Sequence, residues 1–342
     1  MTQPDHRPMT SPASTSPSGP PPPPSAPTVV VAMGGHAFIQ PGERGTYQEQ
    51  TRNARAMCAE LLTFVERGYN LVITHGNGPQ VGTLLQRVEL TGDTLPREPL
   101  DMLVAQTEGS LGYLLQRALL NELKPRGLER FVVTMITQVL VDAHDPAFAR
   151  PSKPVGPFYS KQEAEQARDE HGWVIGEDPG RGWRRRVPSP RPQRIIQRDM
   201  IREAALAGNI VIAAGGGGIP VTMSPEPADD DFVGIEAVID KDLTSGVLAT
   251  DVEAELLVIL TAVDGVYLDF GTPQERRLGA VTMAECKHYI EDEQFPMGSM
   301  GPKVAAIYRF LQRGGRRGLI TDAAHLREAL DGLSGTHFIG KI

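Results

Sequence analysis

Three lysines and one aspartate stand in surroundings that ordinary surface charges do not share. Lys241 lies in GIEAVIDKDLTS, at the end of an apolar run and flanked by Asp240 and Asp242. Lys303 lies in FPMGSMGPKVAA, where a Gly/Ser/Pro turn leads into a helical pattern, and Lys153 lies in RPSKPVGPF. Lysines gathered around developing phosphoryl charge, and held apart by a carboxylate, are what in-line phosphoryl transfer needs. On that reading Asp242 orients ammonium groups and does not act as a base. The candidate catalytic residues are Lys153, Lys241, Asp242 and Lys303.

Glycines supply the second half of the chemistry. Four short apolar runs end in turns: TVVVAMGG, NLVITHGNGP, NIVIAAGGGG and ELLVILTAVDG. Glycine lets backbone N–H groups approach an anion closely, and a following helix N-terminus adds a favourable dipole. In THGNGPQVG, Gly76 and Gly78 permit the tight turn and Pro79 suits the start of a helix. The phosphate loop G-x-x-x-x-G-K-[ST] does not occur, and GGGGIP at 215–220 ends in Pro220 where a dinucleotide fingerprint needs its third glycine. Several such turns on one sheet edge point to an anionic ligand.

The elements that must position these residues are legible in the same runs. Each is short, almost wholly apolar and bounded by turn residues, as expected for parallel strands covered on both faces. Between them lie helical stretches: EQTRNARAMCAELLTFVERG, closing on Gly68 at a C′ position, LVAQTEGSLGYLLQRALLNELKPRG, and PQRIIQRDMIREAALAGN. Alternating strands and helices predict an α/β, doubly wound sheet with ligands at the carboxyl ends of its strands. Residues 142–192 break the alternation with Pro, Gly and Arg, and read as an excursion forming a small lid-like subdomain. Residues 1–27 hold ten of the 29 prolines and almost no large apolar side chains, which predicts a disordered tail before a domain at 28–342.

The remaining composition excludes several functions. The 342-residue chain carries a formal net charge of −8, against general binding to nucleic acid or anionic membranes. Seven arginines near Trp183 in RGWRRRVPSPRPQRIIQR could serve RNA, but the acidic remainder argues for a structural or lid role. Two cysteines, Cys58 and Cys286, read as reduced core thiols. No apolar stretch is long enough to span a bilayer, and the expectation is a cytoplasmic protein. His75, His144, His171, His288, His325 and His337 show no metal-ligand spacing, and His75 is expected to shape its turn. No serine or cysteine stands in a recognisable nucleophile elbow, which fits direct transfer.

Taken in order, these stretches resemble the carbamate kinase branch of the amino acid kinase family. The resemblance runs through ITHGNGPQVG, PLD at 99–101, TQVLVDAHDPAFARPSKPVGPFYS, EDPGRGWRRRVPSPRP, IAAGGGGIPV, GIEAVIDKDL, ILTAVDGVYLDFG and GSMGPKVAAI, nearly everything from residue 29 onward. It implies an open, mostly parallel eight-stranded sheet between helix layers, a protruding subdomain from 142–192, and a homodimer. It implies reversible phosphoryl transfer between ATP and carbamate, giving ADP and carbamoyl phosphate, with Mg²⁺ on the nucleotide and no metal site of the protein's own. By position, Lys241 and Lys303 would neutralise the transferring phosphoryl group, Asp242 would hold the two lysines, and Lys153 would reach the substrate from the subdomain. Gly34, Gly35, Gly76 and Asn77, with His36 and Gly78 beside them, would meet the carbamate or phosphoryl oxygens. Gly215, Gly216, Gly217, Asp264 and Tyr267, with Lys241 and Lys303, would hold the nucleotide.

Two departures accompany the resemblance. The family's GGNA reads GGHA here, placing His36 where an asparagine amide is usual, and M-T-Q-G becomes QTEG, placing Glu108 where glutamine is usual. A carboxylate at 108 could hydrogen-bond His36 and fix its tautomer, or both could be neutral exchanges. They leave open a different small carboxylate as acceptor. A non-catalytic nucleotide-binding protein is the third possibility, opposed by the joint presence of Lys153, Lys241, Asp242 and Lys303.

Overall fold

The glycine-ended apolar runs become the central strands of one sheet. A computed structural model describes residues 26–34, 37–92, 94–178, 180–224, 231–296 and 298–340. The expectations for Gly35 and His36 and for residues 1–25 of the tail therefore lie outside the described residues. Across the sheet the strands run Ala280–Thr282, Thr336–Ile339, Arg317–Thr321, Leu256–Leu260, Thr28–Met33, Asn70–His75, Ile210–Ile212 and Val132–Thr134. All neighbours pair in parallel except Arg317–Thr321 with Thr336–Ile339, so the sheet is eight-stranded and mostly parallel, as expected.

Period-two alternation explains why these strands read as unbroken apolar runs. Val30, Ala32, Val72, Leu257 and Ile259 face one core, packed by Val247, Leu248, Val304, Ile307 and Phe310 from two helices, Lys241–Asp251 and Met300–Gln312. Val29, Val31, Leu71, Ile73, Leu256 and Val258 face the other core. That core is covered by Cys58, Leu61 and Phe64 from the helix Tyr47–Glu66, and by Leu111, Leu115 and Leu119 from Leu100–Leu123. With helices on both faces neither side of a strand meets water, so polar residues have no favoured position in it. Both cysteines are buried, free thiols.

Local signals set several helix boundaries. Thr46 and Glu49 close a capping box on Tyr47–Glu66, and Gly68 follows its end with φ of 80°. The stretch 192–209 behaves differently from the expected helix. Pro192–Ile195 is a strand pairing antiparallel with Gln138–Val141, and the helix is confined to Arg198–Leu206. The lone N–H lost at Pro192 is tolerated at a strand's first residue, and Ile195 buries itself in the core.

Within 142–192 the chain builds a further sheet, Lys153–Tyr159, Gly182–Val187 and Val174–Asp178, with the helix Lys161–His171 beside it. Strand Lys153–Tyr159 lies against the helix Gly78–Thr91, close enough that a Cβ on Gly82 would come 3.5 Å from the Gly156 backbone. Lys153 is thereby brought beside the carboxyl ends of the main strands.

Candidate active site

Three turns converge where the central strands end. The Gly76 N–H donates to Met33 O at 3.1 Å, joining the second turn to the end of the first strand. The third turn, Gly215–Gly217, follows Ala214, whose φ of 50° is left-handed. A Cβ on Gly216 (φ 69°) would fall 2.1 Å from Asn77 Nδ2, and one on Gly217 (φ 102°) would fall 2.3 Å from Ile239 O. These glycines are needed both for their dihedrals and for the approach of the neighbouring turns. Gly34 is also tight, 3.3 Å from Leu260 O by the same measure, whereas Gly78 faces open space and opens its helix without a steric demand for glycine.

Lys241 and Asp242 open the helix Lys241–Asp251, and Lys303 stands in the first turn of Met300–Gln312. Lys241 Nζ donates to Asp242 Oδ1 at 2.6 Å, and Lys303 Nζ donates to Asp242 Oδ2 at 2.9 Å and to Ser299 O at 3.2 Å. Burial raises the Asp242 carboxyl, but the charges and hydrogen bonds of both lysines outweigh it and hold the group at about 2. An ionised carboxylate with both oxygens occupied by ammonium groups is a poor proton acceptor at neutral pH.

Asp240, a neighbour of Lys241 in the chain, ties the cluster together. Its Oδ1 accepts from the Asp242 and Leu243 backbone N–H groups, capping the helix, while its Oδ2 accepts from Lys153 Nζ at 2.8 Å. Lys153 thus comes to the site, yet its ammonium rests on Asp240 and not on the Asp242 pair. An aspartate directly before a helical run is a cap signal, and that signal was available in IDKD. Thr244 Oγ1 donates to Gly217 O at 2.9 Å, and Ser245 Oγ lies 2.6 Å from Thr74 Oγ1. These buried hydroxyls fix the lysine helix against the second and third turns, and no sequence pattern distinguishes them from ordinary helical threonine and serine.

Behind the turns lies a buried polar layer. Asn77 Nδ2 donates to Thr107 Oγ1 at 2.8 Å. His75 donates from Nδ1 to Gly76 O at 3.1 Å and packs edge-on to Phe38, so the histidine does shape its turn. Burial, with a smaller push from Lys241, lowers its imidazole to about 4, so the ring is neutral near pH 7. Glu108 Oε2 accepts from the Thr137 N–H at 2.8 Å, and Thr137 Oγ1 accepts from Ala214 N. Glu108 Oε1 is buried with no hydrogen-bond partner among the described residues, and burial pushes the carboxyl well above its ordinary value. A Cβ on Gly215 would meet both His75 Nε2, at 2.4 Å, and Glu108 Cγ, at 3.2 Å. Whether Glu108 also meets His36 lies outside the described residues.

Asp264 and Tyr267 stand apart from this cluster, beyond the end of Leu256–Leu260. Tyr267 Oη donates to Asp264 Oδ1 at 2.7 Å, and Arg277 Nε lies 3.5 Å from Asp264 Oδ2. Neither shares a hydrogen bond with Lys241, Asp242 or Lys303 among the described residues.

Comparison with known proteins matches residues 27–322 to the model of the amino acid kinase family. A carbamate kinase of Pyrococcus furiosus is 46% identical over 313 residues, covering 91% of this chain and 98% of that protein. A protein of Escherichia coli called carbamate kinase-like is 42% identical, covering 91% and 98%. The structure of a Giardia lamblia carbamate kinase bound to AMP-PNP superposes with a TM-score of 0.87 at 37% identity, covering 93% of this chain and all of that one.

Proposed function

The chain belongs to the amino acid kinase family, and on that premise we propose that it transfers a phosphoryl group reversibly between ATP and carbamate. The observation that carries this reading is Asp242 held between Lys241 and Lys303 at the mouth of the glycine turns. In the forward direction a carbamate oxygen attacks the γ-phosphorus, the bond from that phosphorus to the β,γ-bridging oxygen breaks, and ADP leaves with the electron pair. No covalent enzyme intermediate is formed. Lys241 and Lys303 offset the negative charge on the transferring group, and Asp242 keeps them apart so that each meets a different oxygen. Lys153 leaves Asp240 for the substrate when an anion enters.

On the same reading Gly34, Gly35, Gly76 and Asn77 present donors to the acceptor end, with His36 and Gly78 beside them. Gly215–Gly217, Asp264 and Tyr267 serve the nucleotide, in line with the AMP-PNP carried by the Giardia relative. Among the described residues no group of three or more His, Cys, Asp or Glu could cage a metal, and both Asp242 oxygens are already committed. This donor set suits an Mg²⁺ ion that arrives on the nucleotide phosphates and supplies charge neutralisation there.

We read the assembly as a homodimer. Tyr113 and Leu120 on the helix Leu100–Leu123, with Phe131 and Ile136 flanking the edge strand Val132–Thr134, are exposed and form an apolar face suited to a second copy. The described residues include no helix long and apolar enough to cross a membrane, and we place the enzyme in the cytoplasm. The second reading, another small carboxylate as acceptor, is favoured by Glu108, whose Oε1 has no hydrogen-bond partner among the described residues and marks a buried floor different from the family's usual glutamine. Measuring ADP formation with carbamate against a panel of small carboxylates, for the wild type and His36→Asn, separates the two. Carbamate as the preferred acceptor of both proteins supports the first reading, and a preference that moves to carbamate only in His36→Asn supports the second.

A further inference from the structure

Arg191, Arg309 and Arg313 close on one cavity of about 220 Å³, walled by Gly246, Val247 and Ala306. Gly246 and Val247 belong to the helix that begins with Lys241 and Asp242, and Ala306 and Arg309 to the helix that carries Lys303. The two helices meet so closely here that a Cβ on Gly246 would come 3.0 Å from Ala306 O. None of the three guanidinium groups has a salt bridge or hydrogen bond among the described residues. Two carboxylates stand near the group, and both are already engaged: Asp145 Oδ2 accepts from the Arg191 backbone N–H at 2.9 Å, and Asp251, which feels Arg198, Arg313 and Arg194, accepts from the Ile195 N–H through Oδ2. Arg309 is half-buried, and burial together with the like charges of Arg191 and Arg313 holds it below its ordinary value.

Arg309 is half-buried while Arg191 and Arg313 are exposed, so the like-charge repulsion falls chiefly on Arg309, and although the chain has a net charge of −8 no carboxylate pairs with any of the three guanidinium groups among the described residues. Guanidinium forks match tetrahedral oxyanions by paired N–H donation. The cavity is smaller than the roughly 300–1,000 Å³ typical of sites for drug-sized ligands, so a nucleotide is a poor fit and a phosphate-sized anion a good one. We propose that Arg191, Arg309 and Arg313 form a second anion site, taking orthophosphate or the phosphate group of a small ester between the two lysine-bearing helices. Arg309 lies six residues from Lys303, about 9 Å along the helix. An anion bound there clamps the helix pair whose separation sets the distance from Lys303 to Lys241 and Asp242, and so adjusts turnover without entering the catalytic cluster.

Calorimetric titration of the full chain with inorganic phosphate, and separately with glycerol 3-phosphate, at fixed ionic strength tests the site. The expected result is saturable binding of phosphate, weakened about tenfold or more in Arg309→Gln and Arg313→Gln and retained in Lys303→Ala. Binding of the ester as well identifies the phosphate group as the element recognised, and binding of orthophosphate alone identifies the free ion. Arg313 is exposed at the helix end, so its variant carries the test if Arg309→Gln does not fold. Phosphate binding that is lost in Lys303→Ala and unchanged in both arginine variants would assign the anion to the lysine cluster and overturn the proposal. So would the absence of saturable binding, which would leave the arginines as diffuse surface charge.

Discussion

Lys153 Nζ and Asp240 Oδ2 lie 2.8 Å apart, and this contact joins the three-stranded unit to the residue that caps the lysine-bearing helix. One carboxylate therefore serves two structures, its Oδ1 holding the helix start and its Oδ2 holding a lysine from elsewhere in the chain.

Separating these two tasks gives the first prediction. Asp240→Ala removes the cap and is expected to lower stability by about 1 kcal/mol. Asp240→Asn keeps an oxygen for the Asp242 and Leu243 N–H groups and should lose far less, while both variants free Lys153. Thermal unfolding distinguishes them, and equal losses would show that the ion pair outweighs the cap.

The second prediction concerns pH. Asp242 is held at about 2 in the folded chain against an ordinary 3.8. A depressed carboxyl stabilises the fold above its unfolded value, and that contribution is lost as pH falls from about 4 towards about 2. Asp242→Asn should therefore flatten the acid limb of the stability profile. Its turnover should fall by about a hundredfold or more, since the two lysines lose the charge that spaces them.

Glu108 has the opposite sign. Its carboxyl titrates higher folded than unfolded, so the folded state binds the extra proton and stability declines as pH rises above the ordinary value of 4.5. Glu108→Gln stays neutral and can still accept from Thr137. The stability gap between variant and wild type should widen in favour of the variant as pH rises. A gap independent of pH would show that Glu108 is ionised at no cost.

Glycine demand differs between Gly216, whose turn meets the Asn77 side chain, and Gly78, which follows Asn77 in the chain. Gly216→Ala forces a Cβ against Asn77 Nδ2 at a left-handed φ and should cost about 1–3 kcal/mol, with reduced turnover as Asn77 leaves Thr107. Gly78→Ala meets nothing within 4 Å and should be neutral or slightly stabilising. Paired unfolding and activity measurements check both.

What the chain's residues disclosed depended on burial and spacing. Val29–Met33, Leu71–Ile73 and Leu256–Leu260 were legible as strands because both of their faces are covered, and Lys241, Asp242 and Lys303 because each stands beside a turn rather than on a polar helix face. The sheet Lys153–Tyr159, Gly182–Val187 and Val174–Asp178 was not, since its strands are largely half-exposed and its pattern is broken by Pro and Arg. Pro192–Ile195 was absorbed into a helix because two apolar residues and a following helical run look alike in either state. Thr74, Thr107, Thr137 and Ser245 join the site through partners distant in sequence, which no local pattern encodes.

The most direct test is ATP formation from ADP and carbamoyl phosphate with Mg²⁺, on purified wild type and Lys241→Ala. Robust ATP formation by the wild type is expected, and its collapse in Lys241→Ala while the variant remains folded. A folded wild type that forms no ATP, or a Lys241→Ala variant that turns over normally, would contradict the proposed function.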